Sequence, residues 1–327
     1  PPIFICERNM KITELNAGAI QIDELDITNL NDDQYKEIQT LLYKHLIVVI
    51  KTEETKAIYL NRLCASIGEI ENHLEYRWTE DGQWWANDIN PHIKLVPNPF
   101  KADETKPYPV QRVTGQKDAD GNWTGIFQKG KLDWHCNLNN IHYGDGVALQ
   151  GIRSVENTCT SWMNTSLALK EMPEELYNKI KDKVALYRYH PEAWGLEADA
   201  AAMAYKEYAR RSYALSLEQE NNYGTKGIYI HPFNDMYIQG DEDGSLYREL
   251  YDYLFQEKFI YHHMWNVGDI VLSDQLLTQH KRQDATDDVL EKRLLHRITF
   301  HLSNKDRGIF LRNAKYQKFA KEYMGYQ

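Results

Sequence analysis

The chain has 327 residues, 42% of them hydrophobic, and a formal net charge of −10. That is enough chain to bury one large core. An acidic balance of this size argues against wrapping nucleic acid or docking on anionic lipid. The longest apolar run, "HLIVVI" at 45–50, is strand-sized and far too short to span a bilayer.

Residues 1–9 precede Met10 and read as a leader or tag, leaving 10–327 as one domain. "NDDQYKEIQTLLYKHLIVVIK" (31–51) predicts a helix followed by a buried strand. Asp32 and Asp33 are acidic at its start, and Ile38, Leu41 and Leu42 form an apolar stripe. Residues 56–68 predict a second helix on Ile58, Leu60, Leu63 and Ile67. The stretch 76–109 is different: it is rich in Trp and Pro without a sustained period, which predicts a long structured loop, either a lid over the substrate or an N-terminal excursion packed on the barrel.

"PVQRVTG" (109–115) alternates like a strand and "DADGNWTG" (118–125) reads as a turn. "GVALQGI" (146–152) and "TCTSWMN" (158–164) predict strands, and 166–184 predicts helix, with Pro173 suited to a first turn. An Ala- and Glu-rich stretch suggests a helical insertion at 190–225. "GIYIHPFNDMYI" (227–238) predicts a strand pair, and 231–238 is a candidate lining of the site. An amphipathic helix is expected at 244–259 and strands at 268–275 and 294–303. Strands outnumber helices in the second half, so the fold class is mainly β with flanking helices (α+β). No glycine-rich dinucleotide or P-loop signature occurs.

Four cysteines, Cys6, Cys64, Cys136 and Cys159, form no C-x-x-C pair. They read as reduced thiols, which suits a cytoplasmic protein. The chemistry gathers elsewhere. In "GKLDWHCNLNN" (130–140), His135 and Asn137 are two apart and would share one face of a strand, with Cys136 turned away as a packing thiol. His280 lies far downstream in "SDQLLTQHKR". Arg293 follows thirteen residues later, with Arg297 four further on. Two imidazoles plus an oxygen ligand are what a non-haem Fe(II) oxygenase places on one octahedral face. An arginine can grip a dicarboxylate bidentately. Each residue alone is weak, since the chain has 12 histidines; the ordered set is far more specific.

The sequence resembles the taurine dioxygenase-like (TauD/TfdA) family of Fe(II)- and 2-oxoglutarate-dependent oxygenases. The resemblance rests on "LDWHCN" (132–137), 146–169, "GIYIHPF" (227–233), "MWNVGDIVLSDQLLTQHKR" (264–282) and "RLLHRITFHL" (293–302). It implies a double-stranded β-helix, a distorted jelly roll of the clavaminate-synthase-like type, with the site in the barrel mouth. By position it makes His135 and His280 iron ligands and Arg293 the clamp on the 2-oxoglutarate cosubstrate. Thr160, or Ser161 as an alternative, would set a hydroxyl on that cosubstrate. Arg297 falls where some members hold an acidic group of the substrate; a barrel-strand ion pair is its plainer reading.

The sequence departs from the family at Asn137, where the pattern has Asp. A neutral amide offers a weaker donor to a dication. Four readings stay open: a working oxygenase, a halogenase with chloride near that position, a non-catalytic binding protein, or an introduced change. Halogenases of the family leave room there with Gly or Ala, whereas Asn largely fills it. The first reading is preferred because the histidines, Arg293 and Thr160 are retained. Trp84 and Trp85, in the lid segment with Trp78, are candidate substrate contacts. Glu75, Glu80, Asp81 and Asp88 hint at a cationic substrate. The expected activity is hydroxylation of a C–H bond in a small polar molecule, such as a free amino acid. No nucleic-acid or membrane partner is expected, and a homo-oligomer is left open.

Overall fold

The computed structural model describes residues 10–70, 110–121, 124–127, 132–138, 144–188, 213–232 and 235–302, and the strands at 3–5, 76–78 and 84–86. Two sheets carry the site. The larger has nine strands in the order Ile3–Ile5, Lys11–Glu14, Ile20–Asp23, Ile47–Ile50, Ile270–Asp274, Gly146–Arg153, Leu294–His301, Glu69–Ile70; Gln111–Val113 also pairs with Leu294–His301. Only the Ile20–Asp23/Ile47–Ile50 pair in it is parallel. The smaller has four strands in the order Ile260–Met264, Cys159–Asn164, Thr278–Arg282, Leu132–His135. This sequence-distant pairing of antiparallel strands is the jelly-roll arrangement.

The helices follow from local signals. Asp32–His45 starts at Asn31, whose side chain accepts from the Gln34 N–H while Gln34 returns the bond, a complete capping box. Its buried face of Tyr35, Ile38 and Leu42 packs with Ala57–Ile67 on the outside of the larger sheet. Ser245–Leu254 packs through Leu250 and Leu254 on the other side of the molecule, where Trp134, Cys136 and Tyr229 are also buried.

The "W-x-x-G-D" stretch is a structural clasp. Gly268 has φ +93°, and a Cβ there would lie 1.9 Å from the Thr52 carbonyl oxygen, so only glycine fits the turn. The next residue, Asp269, is buried and forms an ion pair with Lys51 at 2.6 Å. Burial pushes its pKa up, but His263 and Lys51 outweigh this and hold the carboxyl below the usual range. The clasp fixes the end of the Ile47–Ile50 strand against Ile270–Asp274.

Three expectations fall only partly within the described residues. The helical insertion expected at 190–225 is strand in its described part: Tyr213–Ser216 and Glu218–Glu220 pair with Val184–Arg188 and Lys226–Ile228. Tertiary pairing overrides the helix-forming composition of "YALSLEQE", helped by stacking of Tyr213 on Tyr187. The loop expected at 76–109 contains an antiparallel hairpin, Tyr76–Trp78 with Trp84–Ala86; the side chains of Trp78, Trp84 and Trp85 and the rest of the segment lie outside the described residues. Residues 1–9 include the strand Ile3–Ile5, which pairs with Lys11–Glu14. Among the described residues no helix is long and apolar enough to cross a membrane.

Candidate active site

The site lies between the sheets. Thr278–Arg282 is flanked by Leu132–His135 and Cys159–Asn164, and the register sets His280 opposite both His135 and Trp162. The two imidazole centroids are 4.2 Å apart. Trp162 stacks near His280 at 6.3 Å, and Phe127 lies 6.1 Å from His135. The pair is thus enclosed by aromatic rings.

His135 is fully buried, and its Nδ1 lies 2.7 Å from the Asp133 carbonyl oxygen. A carbonyl only accepts, so Nδ1 carries the proton and Nε2 keeps its lone pair. This is the tautomer a metal ligand needs. Burial, partly countered by the Asp133 carbonyl, pushes the His135 pKa down to about 4. Burial and the neighbouring His135 and Arg297 push His280 well below its ordinary value. Both rings are therefore neutral at pH 7. His280 Nδ1 is buried with no hydrogen-bond partner among the described residues.

Asn137 does not share the strand with His135. The strand ends at His135, and Asn137 sits in a bend beyond it. Its N–H donates to Gln275 Oε1 at 2.9 Å, and Gln275 in turn donates to Ser273 Oγ, which also accepts from the Trp162 indole. The side chain is buried and Oδ1 has no hydrogen-bond partner among the described residues. Cys136 points into the helix-side core with Tyr229 and Leu138, as a packing thiol should. Among the described residues no group of three or more His, Cys, Asp and Glu is placed to hold a metal ion.

A cavity connects this pair to the opposite sheet. Its described lining includes His135, Thr160, His280, Arg282, Arg293 and Arg297. Leu295 and Arg297 alternate on the Leu294–His301 strand, Arg293 lies one residue before it, and all three line the cavity. Arg293 is 2% exposed, and its Nε and Nη1 have no partner among the described residues. Burial, then Arg282, lowers its pKa to about 9. A buried cation with unmatched donors calls for an anionic ligand. Thr160 Oγ1 accepts from the Trp265 indole at 2.9 Å and faces the cavity. Ser161 is bonded to His262 and Gln283. Arg297 donates to the Gln111 side-chain oxygen.

Two residues escaped the sequence reading as individuals. Arg282 is two past His280, so the alternation that linked His135 with Asn137 already placed it on the His280 face. His231 is fully buried, neither ring nitrogen has a hydrogen-bond partner among the described residues, and burial followed by His135 lowers its pKa to about 3. Only its place in "GIYIHPF" hinted at it.

Taken together, a jelly roll with two neutral imidazoles, a buried arginine and a hydroxyl in one inter-sheet cavity defines the 2-oxoglutarate oxygenase class. The family model described as "Taurine catabolism dioxygenase TauD, TfdA family" matches residues 11–299, and the chain belongs to that family of iron- and α-ketoglutarate-dependent dioxygenases. No curated protein matches the sequence. Among solved structures, the chain is similar to AAD-2 in complex with Mn(II) and N-oxalylglycine, with TM-score 0.64, 15% identity, and coverage of 89% of this chain and 97% of that one. It is also similar to a taurine dioxygenase from Burkholderia xenovorans, with TM-score 0.61, 16% identity, and coverage of 89% and 90%.

Proposed function

We propose that this dioxygenase hydroxylates a C–H bond of a small polar substrate, with 2-oxoglutarate oxidised to succinate and CO2. The observation that carries the reading is the convergence of neutral His135 and His280 with the unmatched cation Arg293 on one cavity. The residues fit the metal and cosubstrate the family uses: His135 and His280 would hold Fe(II), the Asn137 amide oxygen would add a neutral donor, and Arg293 and Thr160 would hold the far carboxylate of 2-oxoglutarate. When bound, the iron supplies O2 activation and oxidative power. The chain's own part is to keep the imidazoles neutral, orient His135 through Asp133, exclude water with Phe127 and Trp162, and seat the cosubstrate.

Arg297 is the proposed partner of an acidic group on the primary substrate, such as the carboxylate of a free amino acid. Halogenation has less support, because an Asn side chain leaves less room for a halide than the Gly or Ala of the family's halogenases. The test is anaerobic titration with Fe(II) and 2-oxoglutarate, then measurement of succinate on admitting O2. Saturable binding of both, with slow succinate release even without primary substrate, supports the reading. No binding of 2-oxoglutarate in the presence of metal overturns it.

A further inference from the structure

We infer that Gln275 is the positioning residue for position 137: its side-chain amide holds the bend that carries Asn137 and ties that bend to the wall beside His280. The inference rests on the proposed function, in which the Asn137 amide oxygen adds a donor to the metal, and deepens it.

Strand pairing fixes His135 against His280 but does not reach residue 137. The Leu132–His135 strand stops at His135, and Asn137 lies in the bend beyond. A donor carried on a bend needs another constraint to hold its aim. Among the described residues, the hydrogen bond that reaches Asn137 is its own N–H donating to Gln275 Oε1 at 2.9 Å. The other end of the same amide is also engaged. Gln275 Nε2 donates to Ser273 Oγ at 3.1 Å, and Ser273 Oγ accepts from the Trp162 indole at 3.1 Å. A backbone N–H only donates, so the amide oxygen must face Asn137 and its nitrogen Ser273. Trp162 pairs with His280 across neighbouring strands, and the two rings lie 6.3 Å apart at 25°. One connected path therefore runs from the bend to the ring alongside the second histidine. Gln275, Ser273 and Trp162 are fully buried and Asn137 nearly so.

The main chain of Gln275 is anchored as well. Its N–H donates to the Asp145 carbonyl at 2.7 Å. The preceding carboxyl, Asp274, accepts from the Leu276 and Leu277 N–H groups at 2.8 and 3.0 Å, which locks the turn. A glutamine on a loose loop would lose much rotamer freedom in holding a bend. Here the backbone is already fixed, and burial keeps water from competing for the amide. The identity of residue 137 makes the arm matter more. A neutral amide oxygen gains less Coulomb energy with a dication than a carboxylate does. Less of its alignment then comes from the metal, and more must come from the scaffold.

The test compares two backgrounds by Co(II) binding. The full-length protein is titrated with Co(II) without O2 in the presence of N-oxalylglycine, and affinity and the visible absorption of the bound ion are both recorded. Gln275→Met keeps the volume and removes the acceptor and the donor. It should weaken Co(II) binding about tenfold when residue 137 is Asn, as loss of an outer-shell partner does. In Asn137→Ala the donor is already gone, and the same substitution should cost about twofold or less, because residues acting through one group are not additive. The Co(II) spectrum of Gln275→Met should shift in the same direction as that of Asn137→Ala. A merely structural role would give equal losses in both backgrounds and leave the spectrum unmoved. If Gln275→Met fails to fold by circular dichroism, Ser273→Ala carries the same comparison. It cuts Gln275 from Trp162 and leaves the acceptor for the Asn137 N–H, with an expected loss of about threefold beside Asn137 and none in Asn137→Ala. Equal losses in both backgrounds, no loss beside Asn137, or wild-type affinity in Asn137→Ala each overturn the inference. Failure of wild type to bind Co(II) overturns the proposed function and this inference with it. Wild-type binding with additive losses overturns this inference alone.

Discussion

His135 and His280 face each other across neighbouring antiparallel strands, with ring centroids 4.2 Å apart and both rings buried. Two neutral imidazoles this close are well placed to share one cation. His135→Ala and His280→Ala should each remove the rise in melting temperature that Mn(II) gives wild type, because binding to the native state alone is what produces that rise. The loss of metal affinity should exceed the roughly 10–100-fold typical of losing an outer-shell partner. Far-ultraviolet circular dichroism should be unchanged. A variant that keeps wild-type affinity would place the metal elsewhere.

Arg293 makes a different demand. Replacing it with Ala should weaken 2-oxoglutarate binding by about 2–5 kcal/mol, the cost of leaving a charged partner unpaired in a buried site. Metal affinity in the absence of 2-oxoglutarate should change little, since Arg293 is assigned to the cosubstrate. Calorimetry with and without 2-oxoglutarate separates the two; equal 2-oxoglutarate affinity in wild type and variant removes the clamp.

These assignments were legible to unequal degrees. Asp32–His45 was readable because cap, acidic first turn and apolar stripe agree. The metal pair and Arg293 were visible only as an ordered set, since no single residue carries the signal. Tyr213–Glu220 was misread because its residues favour helix locally and are strand only through pairing with Val184–Arg188 and Lys226–Ile228. Asn137 was assigned the face of His135 by strand alternation, but the strand ends at His135, two residues short of it, so that rule does not apply. The burial of His231, with no hydrogen-bond partner among the described residues, is a product of tertiary packing that no local pattern encodes.

Gly268→Ala tests the clasp rather than the site. The φ of +93° and the Thr52 carbonyl both oppose a side chain. The expected cost is at least about 2 kcal/mol, strain plus displaced backbone. Urea unfolding should show the lower stability, while N-oxalylglycine affinity at low temperature stays near wild type. Wild-type stability in the variant would mean that the turn is not the one described.

Acid should weaken the metal-free fold. His135 and His296 are lowered to about 4, and His231 to about 3, all mainly by burial. The unfolded chain takes up protons on these rings near pH 6.5 and the folded chain does not, so stability falls as pH drops from about 6.5 towards 4. Asp274 works with the opposite sign: burial raises it to about 6, so its contribution disfavours the fold as pH rises from about 4 to 6. Three histidines against one carboxyl give a net loss on acidification, seen as a falling urea midpoint between pH 6.5 and 4. A flat midpoint over that interval would show that these rings are not held neutral.

Asn137→Asp should move stability in opposite directions with and without metal. In the metal-free protein the new carboxylate replaces a buried amide whose Oδ1 has no partner among the described residues. A buried charge in that position costs more than the about 1–3 kcal/mol of an unsatisfied neutral group, so the melting temperature should fall. The backbone N–H bond to Gln275 is unaffected by the substitution, so the bend itself is kept. With Fe(II) or Mn(II) present, an anionic oxygen gains Coulomb energy with a dication that an amide cannot match, and metal affinity should rise. Activity should increase if the amide is a loss and decrease if the neutral site suits the native reaction. Asn137→Gly, by clearing the side chain, should give chlorinated product only if the substrate lies against that position. Anaerobic metal titration in the presence of 2-oxoglutarate decides the main point: equal affinity in wild type and Asn137→Asp would mean that residue 137 does not face the metal.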